Sequence, residues 1–339
     1  MYNLETATIE ITRRCNAKCI HCIIGAGEEK PEELSTNEII KLIEDIYDLG
    51  GKNVVLTGGE PFLRKEWPLF LQKINSLGMQ AIIMTNARLI DDDVIEILKL
   101  YPSTAIGISL DGPDAQTHDY VRGVKGIFDY FCQVVPKLKE AGIYVAIPTT
   151  VMQSNFDKLD DILKLLIELG VDAWQLQIVK PSERLPQSEI LTQEQYYKLA
   201  EKIAEYRENY SDKINVMEAD CIGYHSKLQD KLYIQNWRGC ECGIYSASIE
   251  SDGNVKGCPN MNNSEGNIRQ RPFKDIWNDH NSFKYNRTPQ VETLTGYCVE
   301  CKHKYTCRGG CPTNPKTESG SAYCLYKIEQ NGSNVGWDK

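Results

Sequence analysis

The chain has 339 residues, 41% of them hydrophobic and 25% charged, enough to bury a large core in one big domain or two smaller ones. Its formal net charge of -9 offers no basic stripe. That argues against nucleic acid and acidic membrane surfaces as partners and leaves a basic peptide or a neutral small molecule open.

No signal peptide is apparent and no apolar run approaches the roughly 18 residues of a membrane span, so the cytoplasm is the expected location. Thirteen cysteines in such a chain are expected to stay reduced and to serve metal ligation or catalysis. Three fall within the first 22 residues, one is isolated at Cys132, and nine lie between Cys221 and Cys324. The distribution predicts two metal-bearing regions separated by a scaffold.

In chain order, short β-branched runs alternate with amphipathic helical segments, which predicts a parallel sheet flanked by helices. Strands are expected at Thr8 to Thr12, Asn53 to Leu56, Gln80 to Thr85, Thr104 to Leu110, Tyr144 to Thr150 and Ala173 to Ile178. Between the first two, Ser35 and Glu38 form a capping-box signature, Ile39, Leu42, Ile43 and Ile46 share a helix face, and Gly50 supplies the stop. Similar helices end before Gly78, Gly142 and Gly170, so about six βα units are expected and an open, partial barrel is the predicted shape. Residues 185–237 read as a bridge, helical at Thr192 to Asn209; residues 238–326 are rich in Cys, Gly, Asn and Pro, as where ligation replaces core; and 327–339 read as a mobile tail.

Directly after the first strand, CNAKCIHC places Cys15, Cys19 and Cys22 on a loop at a strand's carboxyl end, where barrel enzymes put their chemistry. Three thiolates suit a 4Fe-4S cluster with one iron left open for a cofactor, although a zinc loop completed by His21 or a distant residue would have the same spacing. In this position the CxxxCxxC motif resembles that of the radical SAM superfamily. The resemblance implies S-adenosylmethionine as cofactor, bound in part by GGEP, Gly58, Gly59, Glu60 and Pro61, where the glycines allow close backbone approach and Glu60 offers a carboxylate to the methionine amino group. It also makes Ser109 and Asp111 of SLDG candidates for contact with the cofactor's ribose or carboxylate. Arg122, four residues after His118 on an expected helix, is a candidate clamp for a carboxylate, and an ordinary surface arginine would read the same. The implied reaction is one-electron cleavage of the cofactor to a 5'-deoxyadenosyl radical that takes hydrogen from substrate.

Farther on, Cys242, Gly253 and Cys258 precede Cys298, Cys301, Cys307, Cys311 and Cys324 in an order that resembles the SPASM extension of radical SAM enzymes. By that resemblance Cys298, Cys301, Cys307 and Cys324 hold one auxiliary 4Fe-4S cluster, while Cys242, Cys258 and Cys311, with Cys240 as the candidate fourth ligand, hold another, for three clusters in all. Paired thiolates also suit zinc. Cys221 has no slot in the pattern and is a candidate hydrogen-atom donor, an open-site ligand or a buried small hydrophobe, whereas Cys132, on an apolar helix face, is expected in the core. The fold class is therefore read as α/β, a partial (β/α)6 barrel with a cysteine-rich SPASM extension.

The resemblance implies maturation of a ribosomally made peptide by crosslinking, epimerisation or oxidation, with tetrapyrrole or heme-pathway modification as the alternative. A non-catalytic iron-sulfur electron carrier is the reading from another class. The first strand begins by Thr8, so a leader-binding function is expected in a separate protein, and the low-potential donor is expected to be a flavodoxin or ferredoxin. Pro259 stands where anaerobic sulfatase maturases carry a base, so that role is not expected here. The stretch from Gly266 to Asp279 occurs in similar form among peptide and heme enzymes and does not separate them.

Overall fold

The computed structural model describes residues 2–30, 32–219, 222–233, 239–288, 290–314, 316–317 and 320–332. Six strands stand where alternation places them: β1 (Thr6–Thr12), β2 (Asn53–Gly58), β3 (Gln80–Thr85), β4 (Thr104–Ile108), β5 (Tyr144–Val151) and β6 (Ala173–Ile178). Each is parallel to the next, and β7 (Asn215–Glu218) adds a further parallel strand beside β6. On the other edge β8 (Ser246–Ile249) runs parallel to β1, and β9 (Asn254–Lys256) and β10 (Gly266–Asn267) continue antiparallel. The ten strands form one open sheet in the order β10-β9-β8-β1-β2-β3-β4-β5-β6-β7, a partial barrel.

Helices α1 (Thr36–Asp48), α2 (Trp67–Ser76), α3 (Asp92–Lys99), α4 (Ala115–Arg122), α5 (Ile127–Glu140), the single turn α6 (Gln153–Phe156) and α7 (Leu159–Glu168) alternate with these strands. The Ser35–Glu38 capping box starts α1, whose Ile39, Leu42, Ile43 and Ile46 are buried against the sheet. Ile9, Leu56, Ile83, Ile106 and Ile147 meet them from the strands, each fully buried side chain contributing about 1.5–3 kcal/mol. Cys132 packs partly buried against this core, as its helix face predicts.

A long helix, α8 (Gln193–Tyr210), begins at Thr192 with its own capping box. The stretch expected to be a plain bridge therefore also supplies β7, too short at four residues to show alternation. Phe273, Ile276 and Trp277 of the Gly266 to Asp279 stretch are buried, and the Trp277 indole donates to the Tyr2 carbonyl oxygen at 3.0 Å. That stretch is packing against the barrel. The start of the expected tail belongs to a helix, Leu325–Gly332, whose Glu329 accepts hydrogen bonds from the Lys227 backbone and the Tyr197 hydroxyl; residues 333–339 lie outside the described residues.

Candidate active site and cysteine centres

The loop after β1 is pinned at both ends. The Cys15 N–H donates to the Gly27 carbonyl at 2.8 Å and the Gly27 N–H to Arg13 at 3.0 Å, closing the base of the segment that carries Cys15, Cys19 and Cys22. Its middle is tied to the last turn of α4, with Lys18 N–H donating to Arg122 O at 3.1 Å and Ile20 N–H to Val121 O at 3.0 Å. Burial pushes the Cys15 thiol up to about 11 and also raises Cys19, so a bound cation is what would hold them as thiolates.

Opposite, Gly58 and Gly59 crowd the β1 backbone so closely that a Cβ on Gly59 would lie 2.1 Å from the Arg14 carbonyl oxygen and one on Gly58 would lie 2.2 Å from that of Thr12. Both glycines line a cavity of about 510 Å³, together with Cys15, Cys19, Cys22 and Ser109. Glu60 does not reach it. Its enclosed carboxylate accepts from the Thr85 hydroxyl at 2.7 Å, the Asn86 N–H at 2.9 Å and the Phe62 N–H at 3.3 Å. Burial outweighs these donors and pushes its pKa up to about 7. Pro61 is buried at the start of the following 3-10 turn. Both residues shape the loop.

Asp111 is likewise not among the residues that line the cavity. It is fully buried, pairs with the Arg122 Nη2 at 2.6 Å and His21 Nε2 at 3.0 Å, and accepts from the Thr150 N–H at 2.8 Å. Burial alone would raise its carboxyl; Arg122 and His21 outweigh it and hold the group below the usual range. The His118 Nδ1 accepts from the Asp111 N–H at 3.0 Å, and burial with the nearby Arg122 lowers that imidazole to about 3, so it stays neutral. Asp111 thus positions Arg122, which lines the cavity with Nη1 3.7 Å from the Cys19 sulfur. The Arg122 Nε is buried without a hydrogen-bond partner, an orphaned donor suited to an anionic group in the cavity.

The C-terminal cysteines gather in two places. Cys242 hydrogen-bonds with Cys240 and Cys258, and Cys311 is an electrostatic neighbour of Cys258. All four line the cavity. Asn286, which the sequence did not single out, donates through Nδ2 to the carbonyls of Cys240 at 2.5 Å and Cys242 at 2.9 Å, holding that turn in shape. Cys298, Cys307 and Cys324 are mutual neighbours, Cys301 lies beside Cys324, and burial pushes the Cys307 thiol up to about 12. Cys221 lies outside the described residues.

Residues 9–166 match the Radical SAM superfamily and residues 240–302 match SPASM, an iron-sulfur cluster-binding domain. The AdoMet-dependent heme synthase of Oleidesulfovibrio alaskensis is 30% identical over 92% of this chain and 83% of its own. The mycofactocin maturase MftC of Mycolicibacterium smegmatis is 28% identical over 90% of this chain and 77% of its own. Among solved structures, Streptococcus suis SuiB bound to S-adenosylmethionine shares the fold, with a TM-score of 0.78 at 18% identity over 96% of this chain and 78% of that one.

Proposed function

The chain belongs to the radical SAM superfamily and carries a SPASM domain, and from that premise we propose that it abstracts a hydrogen atom from a substrate held in the cavity between its two cysteine regions. Its cofactors are 4Fe-4S clusters and S-adenosylmethionine. When bound and reduced, the cluster supplies the electron that cleaves S-adenosylmethionine to a 5'-deoxyadenosyl radical.

In this reading Cys15, Cys19 and Cys22 hold the cluster, Gly58 and Gly59 allow the cofactor to approach the backbone, and Ser109 and Arg122 offer polar contacts to it. Asp111 keeps the guanidinium aimed and charged. Cys240, Cys242, Cys258 and Cys311 hold one auxiliary cluster and Cys298, Cys301, Cys307 and Cys324 another. The observation that carries the reading is that a single cavity is walled by the first cysteine loop and by the Cys240 to Cys258 and Cys311 segments at once.

The substrate reading placed first is a ribosomally made peptide, crosslinked, epimerised or oxidised. It is supported by likeness to MftC and by amide and hydroxyl groups on the wall, among them Thr150, Gln175, Gln177, Asn260 and Thr313, which match the hydrogen-bonding needs of a peptide backbone. Heme-pathway modification is the second reading, supported by the more complete mutual coverage with the heme synthase.

The test is reductive formation of 5'-deoxyadenosine by anaerobic, iron-replete protein, which is expected and expected to vanish in Cys19→Ala. Clusters that titrate without any cleavage would make the chain an electron carrier. Deuterium passing into 5'-deoxyadenosine from a labelled peptide or from a propionate-labelled porphyrin separates the two substrate readings.

A further inference from the structure

Two cations on the cavity wall stand beside the Cys240 to Cys258 centre, Lys180 as a neighbour of the Cys258 thiol and Arg308 through Asn286, and among the described residues neither has a carboxylate partner there. Lys180 follows β6 at the carboxyl end of the sheet, and Arg308 follows Cys307. In a chain of net charge -9, no aspartate or glutamate among the described residues lines this cavity. The Lys180 ammonium donates to the Asn314 amide oxygen, and the Arg308 Nη1 donates to the Asn286 carbonyl. Both partners are neutral. By contrast, Arg122 already has Asp111 at 2.6 Å.

Two further observations point at Arg308. Its Nε is buried without a hydrogen-bond partner, a donor left over beside the cavity. Its backbone stands at φ 54, in the left-handed region, although Gly309 and Gly310 follow and either residue type would meet that turn more easily. The residue caps the turn Lys304–Cys307, a place that glycine fills at lower cost.

We infer that Lys180 and Arg308 form a carboxylate-binding subsite for the substrate, on the SPASM side of the cavity. A guanidinium takes a carboxylate in a planar, two-bonded fork and an ammonium adds a compact point charge, so the pair favours an anionic group over its neutral isostere. The propionate of a tetrapyrrole and the acidic side chain of a peptide share this chemistry. The inference rests on the cavity being the substrate site, and it reverses the expectation, drawn from net charge alone, of a basic or neutral substrate.

The experiment measures equilibrium binding of two acids and their neutral counterparts to anaerobic holoenzyme with S-adenosylmethionine: coproporphyrin III against its tetramethyl ester, and octaglutamate against octaglutamine. At least one acid is expected to bind in preference to its neutral form, with K180M and R308Q each weakening it about tenfold and K180R and R308K recovering most of the loss. Which acid binds identifies the source of the carboxylate. Equal binding of acid and neutral form, variants within twofold of wild type, or no binding of either acid would overturn the subsite. Iron content and circular dichroism control for folding, and K180M alone decides if R308Q loses iron. Formation of 5'-deoxyadenosine by the wild-type protein, followed in the same preparations, tests the radical reading separately.

Discussion

Strands β1 to β6 and their helices bury a continuous set of Ile, Leu, Val and aromatic side chains, whereas the described residues of 239–324 contribute strands of four residues or fewer and helices of at most six. The first region is held by apolar burial, with the Trp174 ring stacked on Tyr206 and its N–H donating to the Thr149 hydroxyl at 2.8 Å. The second adds Ile249, Val255, Phe273, Ile276 and Trp277 to the same core, and beyond them it has two knots of thiols, each drawn from segments far apart in sequence. It follows that the barrel should survive loss of iron and the segments around the thiols should not.

The largest effect is therefore expected from iron removal. A structural metal site contributes on the order of 10 kcal/mol to the fold around it, so chelation should abolish amide-exchange protection in the segments around Cys240, Cys298 and Cys307 while β1 to β6 stay protected. Equal loss in both regions would break the contrast.

Next in size is Asp111→Asn, which leaves the buried Arg122 guanidinium without its counter-charge. About 3–5 kcal/mol of stability should be lost from the barrel, together with weaker S-adenosylmethionine binding, measured by urea titration and equilibrium dialysis. A barrel of wild-type stability would mean that Arg122 is neutralised from elsewhere. Asn286→Ala is smaller: losing its two donations to Cys240 and Cys242 should cost about 1–3 kcal/mol and lower the iron retained by that centre, while a Cys15/Cys19/Cys22→Ala variant loses about four of about twelve irons from the other end of the cavity.

The same division decided what could be read beforehand. Each barrel strand carries enough residues for alternation to register, and α1 announces itself through Ser35, Glu38 and a four-residue apolar face. Cysteine spacing identified both C-terminal groups because ligation demands particular residues at particular intervals. What escaped had no local signature. β7 and β8 are four residues each, and both depend on a neighbouring strand far along the chain. The burial of Asp111 and Glu60 behind the cavity wall has no local signature either, because a motif fixes residue identity without saying which side chain faces in and which supports it. Lys180 and Arg308 belong to no periodicity, and only the fold brings them to one cavity.

The smallest expected effect tests how the two regions are joined. Arg269, from the C-terminal part, reaches the Glu38 carboxylate of the α1 capping box at 2.6 Å. That hydrogen bond, against a small desolvation cost and with help from Ser35, lowers the Glu38 carboxyl to about 2. A depressed carboxyl contributes stability that is present above its ordinary value near 4.5 and is lost as pH falls through about 2. Because both side chains are about a third exposed, solvent screening should hold the deficit of Arg269→Ala to about 0.5–1 kcal/mol at pH 7, and the deficit should shrink at pH 4 and in high salt. Urea midpoints at the two pH values check it. A deficit unchanged by acid or salt would mean that Arg269 joins the regions through its bonds to the Glu32 and Glu33 carbonyls, which do not titrate, and that charge has little part in the seam.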